Sequence, residues 1–141
     1  MCSSDLVAKA GELAAARGVT ISTGVADATG DLTGIVTPGS FDLVVVAYLQ
    51  LPLPARAAAI ANAVAALAPG GTLLEIAHDA ANLDRGYGGP QDPAVLASPE
   101  EVGALLTGLV VERAETVERP VETPEGPRTA IDHVVRARRP A

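Results

Sequence analysis

The spacing of apolar residues changes along the chain, and each change predicts an element. From Ser4 to Arg17 the period is helical, with Leu6, Ala10, Leu13 and Ala14 on one face. Ser3, Ser4 and Asp5 are candidate caps, and Gly18 stands where a helix-ending glycine belongs. From Val19 to Ala28, "VTISTGVADA", the period falls to two: Val19, Ile21 and Thr23 alternate with polar positions and predict a strand. Thr29 to Ser40 reads as a loop with at most one helical turn. Phe41 to Leu51 is the strongest strand signal. Leu43 to Ala47 is continuously apolar, which predicts a central strand of a parallel sheet, covered on both faces.

Pro52 and Pro54 interrupt the chain before an alanine-rich helix, Arg56 to Leu67, with Pro54 well placed near its N-terminus. Pro69-Gly70-Gly71 ends that helix by turning the chain, and Thr72 to Asp79 is the next strand. Ala80 to Ala97 contains "RGYGGPQDP", a loop long enough in a compact domain to be functional or disordered. Ser98, Pro99, Glu100 and Glu101 open a helix as cap, first helical residue and acidic first turn. Leu109 to Glu122 and Thr129 to Arg139 alternate, with the turn residues "TPEGPR" between them, and predict an antiparallel pair. The layout is α/β. Ligands in open α/β sheets bind outside the carboxyl ends of the strands. That rule selects Asp27, Ala47 to Gln50, and His78-Asp79.

The 141 residues fit one domain, and 48% apolar content is ample for a core. With only Phe41, Tyr48 and Tyr87 aromatic, that core is built from Ala, Val, Leu and Ile. A formal charge of -7 without a basic stripe argues against sequence-independent nucleic-acid binding. The cluster Arg136 to Arg139 reads as a solvated tail. Cys2 is the single cysteine, so no internal disulfide is available. No apolar run approaches the ~20 residues of a membrane span, and "MCSSDL" is no signal peptide. A cytoplasmic location is expected. One lysine against nine arginines, with the alanine excess, points to a GC-rich bacterial coding bias.

"FDLVVVAYLQLP", a helix, and then "LAPGGTLLEIAHD" resemble the later half of class I S-adenosylmethionine-dependent methyltransferases, and the resemblance runs from about Val7 to Arg139. It implies a Rossmann-like sheet of order 3-2-1-4-5-7-6 closed by an antiparallel hairpin. It also implies S-adenosyl-L-methionine as cofactor, no metal, and methyl transfer to a small-molecule acceptor by in-line displacement. In such a domain Asp27 would meet the adenine amino group, with Ala26 and Ala28 along the adenine edge. Ala47, Tyr48 and Leu49 would flank the methionine part. Gln50, His78, Asp79, Arg85 and Tyr87 would face the acceptor. The family's glycine-rich turn after strand one, and the acidic end of strand two, have no counterpart in these residues. The expectation is therefore a partial methyltransferase domain over residues 7–139, lacking strands one and two, with impaired cofactor binding, the strand at Val19 to Ala26 without its neighbour, one edge of Phe41 to Ala47 unpaired and apolar, and residues 140–141 as a tail. "CSSDL" resembles a translated sequencing adapter, so residues 1–6 are expected to be a non-native leader.

Within that frame His78 is the candidate catalytic base, or a histidine hydrogen-bonded in its loop. Asp79 either orients it or starts the loop. Tyr48 stacks near cofactor or substrate, or fills core space, and Tyr87 among its glycines is a lid or part of a disordered loop. His133 inside the last strand is expected to be a satisfied structural histidine. His78, Asp79 and Asp84 have no recognised metal-ligand spacing. Short-chain reductase chemistry is excluded, because Lys9, the only lysine, follows no tyrosine at the required distance of four. The competing class is a non-catalytic α/β domain that binds a ligand or partner.

Overall fold

The computed structural model describes residues 3–141. Met1 and Cys2, part of the expected leader, lie outside the described residues, as do the side chains of the candidate caps Ser3 and Ser4. The elements in chain order are α1 (Ser3–Ala16), β1 (Phe41–Ala47), α2 (Leu53–Ala66), β2 (Leu67–His78), α3 (Asn82–Arg85), α4 (Pro99–Leu105), β3 (Val110–Thr123) and β4 (Gly126–Arg138). One further 3-10 turn spans Pro93–Val95. The sheet has the order β1-β2-β4-β3. β1 runs parallel to β2, while β4 is antiparallel to both β2 and β3. This is the 4-5-7-6 part of the expected sheet, hairpin included. Among the described residues no helix is long and apolar enough to cross a membrane.

Local chemistry explains several boundaries. α1 stops at Ala16 and the chain turns at Gly18, φ 62°, where Gly18 N–H donates to the Ala15 carbonyl and Val19 N–H to the Ala14 carbonyl. Those two reversed bonds satisfy carbonyls the helix leaves open. α4 begins with a reciprocal cap: Ser98 Oγ accepts from Glu101 N–H and Glu101 Oε2 accepts from Ser98 N–H. α2 and α4 cover one face of the sheet, where Ile60, Leu67, Leu73, Ala97, Val102, Leu106, Val135 and Ala137 form the core.

Four expectations need correction. Val19 to Ala28 joins no ladder; it has no regular structure as far as Asp27 and enters a turn at Ala28, with Val19, Ile21 and Val25 exposed. Alternation supplies the side chains of a strand, but backbone N–H and C=O groups need a partner strand, and none lies beside it among the described residues. β1 is the unpaired edge strand expected where strands one and two are missing, and not the covered central strand that its apolar run alone predicts. Val44 packs towards the core, whereas Leu43 and Val45, on the other face, are 58% and 52% exposed because no helix covers them. Pro69-Gly70-Gly71 is the irregular start of β2 and not a separate turn: the register against β1 shifts there, and Gly70 has φ 77°. A Cβ on Gly71 would stand 2.8 Å from the Phe41 carbonyl oxygen. Finally, Arg136 to Arg139 is no solvated tail. Arg136 and Arg138 bracket Glu112, and Arg139 donates to the Leu67 carbonyl, pinning the beginning of β2.

Candidate active site

At the carboxyl end of β1 the chain turns at Tyr48, whose φ of 53° is the only positive value at a non-glycine among the described residues. Its N–H still donates to Ile76, at 2.7 Å, so the turn is tied to β2. The ring is directed towards the hairpin, where its hydroxyl donates to Asp132 Oδ2 at 2.8 Å. Asp132 lies in β4 directly across from His78, the last residue of β2, and is 1% exposed. Arg119 of β3 donates to the same carboxylate through Nε at 2.7 Å and sits over the Tyr48 ring, 5.7 Å from its centroid. His78 Nδ1 is 3.1 Å from Asp132 Oδ1, within ion-pair range though not aligned as a straight hydrogen bond. The Tyr48 and His78 rings meet edge-to-face with centroids 5.3 Å apart.

Burial alone would raise the Asp132 pKa, but hydrogen bonds from Arg119 and Tyr48, helped by nearby positive charge, hold it below the usual carboxylate range. The carboxylate in turn pushes the Arg119 guanidinium up. Burial, followed by the Asp132 hydrogen bond, raises the Tyr48 phenol above its ordinary value. The cluster is therefore a buried carboxylate anion held by three side chains from three strands or strand ends.

A loop lies over the imidazole. Asn82, 2% exposed, accepts from Ile131 N–H and donates to the Gly88 carbonyl, linking β4 to the loop. Gly89 then sits against the His78 ring at φ 75°, where a Cβ would come within 2.8 Å of the ring carbons. Glycine at position 89 is thus required both by its backbone angle and by this close approach.

The other acceptor-side expectations divide. Asp79 does not reach His78: its oxygens accept from Ala81 N–H and the Thr116 hydroxyl, so it starts the loop. Gln50 Nε2 is buried without a partner. Arg85 and Tyr87 are exposed on the loop surface. On the opposite sheet face His133 is 2% exposed, with Nδ1 3.0 Å from the Ala97 carbonyl and Nε2 2.7 Å from Glu75 Oε2. His133 is thus buried among protein groups and held at Nδ1, but it is not the fully satisfied histidine expected, because Nε2 faces Glu75 Oε2 without an aligned hydrogen bond.

The residues expected on the cofactor side also separate. Ala28, Ala47 and Leu49 meet along a groove of about 370 Å³ between β1, α2 and the Thr29–Ser40 loop. Asn62 of α2 holds that loop by donating to the carbonyls of Ala28 and Gly30. Asp27 is exposed, and its carboxylate accepts from both the N–H and hydroxyl of Thr29, which lowers its pKa. Ala26 precedes it in exposed coil, and Tyr48 turns away to the polar cluster.

Sequence reading missed Asp132, Arg119, Asn82 and Glu75. One signal was present: "AIDHVV" places an acid and a histidine inside an otherwise apolar strand. Only the β2–β4 register shows that Asp132 faces His78.

No protein-family model matches the chain, and no curated protein matches it significantly. Solved structures do. A SAM-dependent methyltransferase from Methanosarcina mazei is 18% identical at TM-score 0.64, covering 98% of this chain and 79% of its own. The N-methyltransferase NodS from Bradyrhizobium japonicum, also solved with S-adenosyl-L-homocysteine, is 27% identical at TM-score 0.52, covering 79% of this chain and 58% of its own. A protein studied for conversion of a disulfide bond into a thioacetal group during echinomycin biosynthesis is 21% identical at TM-score 0.67, covering 95% and 62%. The chain thus spans only about three-fifths of the length of two of these proteins, 62% for the echinomycin protein and 58% for NodS.

Proposed function

From a chain that has the class I S-adenosylmethionine-dependent methyltransferase fold, we propose that these residues form the acceptor-facing part of a domain that transfers a methyl group to a small-molecule acceptor. The observation that carries the proposal is the Tyr48–His78–Asp132 cluster at the carboxyl ends of β1 and β2, where α/β sheets place their ligands. Methyl transfer needs alignment and exclusion of water more than it needs a catalytic triad, and one base suffices when the acceptor must lose a proton.

The residues present do not by themselves fit S-adenosylmethionine. The groove beside β1 is lined by apolar side chains apart from Asn62, whose amide nitrogen already serves two carbonyls. A ribose diol and an amino-acid head group would be buried there without partners, which is costly. Asp27, the expected adenine contact, is engaged with Thr29. This favours a second reading, in which the 141-residue chain acts as a non-catalytic binding domain.

Calorimetry with S-adenosylhomocysteine tests both. The 141-residue chain is expected to give no saturable heat, and the same reading frame extended upstream is expected to bind. Tight binding by the 141-residue chain sinks the claim that its site is incomplete. Absence of binding by both sinks the methyltransferase reading and leaves the binding domain.

A further inference from the structure

We infer that Asp132 is the positioning residue for His78, and that the pair prepares Nε2 of His78 to take a proton from a hydroxyl or amine acceptor. The inference rests on the functional reading above for what the acceptor is, but its geometry does not. Asp132 and His78 are cross-strand partners, so their side chains share one sheet face. The carboxylate sits beside Nδ1. The contact is 3.1 Å and off the line of a hydrogen bond, but a carboxylate can only accept, so its negative charge beside Nδ1 favours the tautomer with the proton on Nδ1 and the lone pair on Nε2. Asp79, the neighbour in sequence, is bonded elsewhere and cannot do this.

The rest of the cluster serves the same end. Arg119 and Tyr48 donate to Asp132 Oδ2, which fixes the carboxylate and leaves Oδ1 for the imidazole, apart from a long 3.5 Å contact with Arg119 Nη2. The His78 side chain retains 14% exposure, whereas Asp132 is sealed. Gly89 covers the ring on the loop side, so an acceptor reaches Nε2 only beside or beneath the Gly88-Gly89 segment. The step assigned is a proton transfer alone. The acceptor O–H or N–H bond breaks, its electron pair stays on the acceptor atom, and the proton bonds to Nε2. The imidazolium so formed stands next to an anion. An acceptor with no proton to lose, such as a thioether, gains nothing from this arrangement.

Nitrogen-15 NMR of the histidine side chains in the 141-residue chain tests the assignment, with His78→Gln identifying the resonances. In its neutral form His78 is expected to carry its proton on Nδ1, and Asp132→Asn is expected to move population to the Nε2–H form. A wild-type His78 protonated on Nε2 overturns the inference, as does an unchanged tautomer in a folded Asp132→Asn variant. If Asp132→Asn does not fold, Arg119→Lys is the second variant: the carboxylate should stay beside Nδ1, and loss of the Nδ1–H tautomer there overturns the inference. No cofactor enters this readout, so it can fail while the calorimetric result stands, and the reverse.

Discussion

Glu75 and His133 form a sealed pair, and replacing Glu75 separates hydrogen bonding from packing. Glu75 is 4% exposed and His133 2%, under α4 and the segment at Ala97. The Ala97 carbonyl can only accept, so His133 Nδ1 carries a proton. Nε2 and Glu75 Oε2 stand 2.7 Å apart, not ideally aligned, and neither has another partner. Glu75→Gln keeps a donor within reach of Nε2 and should cost less than about 1 kcal/mol. Glu75→Leu keeps the bulk but leaves Nε2 buried and unpaired, which should cost about 2–3 kcal/mol. Removing both partners in Glu75→Leu/His133→Leu should recover part of that loss, since an apolar pair of similar volume replaces a buried polar one.

Urea unfolding followed by circular dichroism reads the effect. With a slope of about 2 kcal/mol per molar urea, Glu75→Leu lowers the midpoint by roughly 1–1.5 M. The double mutant should show a coupling energy of about 2 kcal/mol relative to the two single changes. The reasoning is refuted if Glu75→Leu unfolds within 0.3 M of wild type, or if Glu75→Gln is as damaging as Glu75→Leu, on the scale of about 0.5 kcal/mol that such midpoints resolve.

Three further outcomes are expected. Gly89→Ala places a methyl group against the His78 ring at a positive φ, so it should destabilise by about 1–2 kcal/mol and shift the His78 NMR resonances while leaving those of His133 in place; unchanged His78 signals would contradict the contact. The folded Asp132 pKa lies below its ordinary 3.8, so its contribution to stability is present above pH 3.8 and is lost as pH falls through the lower folded value; Arg119→Met should flatten that acid limb in urea titrations between neutral pH and pH 3, and an identical limb argues against the pair. Val45 is 52% exposed on the unpaired edge strand, so Val45→Lys should reduce self-association in light scattering at high concentration, and equal scattering would show that this edge is not the sticky one.

Legibility in the sequence followed locality. α4 could be read because Ser98, Pro99 and Glu101 carry its cap within four residues, and the hairpin because alternation and turn residues lie next to each other. The sheet order came with the family resemblance and not from spacing. Val19 to Ala28 misled because its alternation is real while the partner its backbone needs is not beside it. β1 misled similarly: a continuous apolar run reports what a strand tolerates on both faces, not whether both are covered. His78 was legible as a residue at a strand end. Its partner was not, since Asp132 is 54 positions away and the nearer Asp79 offered a simpler answer.

The adjacent residues Asp132 and His133 show how one strand can serve two purposes. Successive side chains of β4 point to opposite faces, so the acid goes to the face shared with His78 and the histidine to the face covered by α4. The covered pair, Glu75 with His133, is closed to solvent and contacts only protein; it can hold the Ala97 segment against the sheet but cannot meet a substrate. The other pair borders the face on which Leu43 and Val45 are exposed, at the strand ends, with its histidine still in part accessible. Both pairs set a carboxylate against an imidazole nitrogen, at 2.7 Å for Glu75–His133 and 3.1 Å for Asp132–His78. Access, and not pairing, is what separates a structural histidine from a candidate base here, which is why the functional assignment falls on His78.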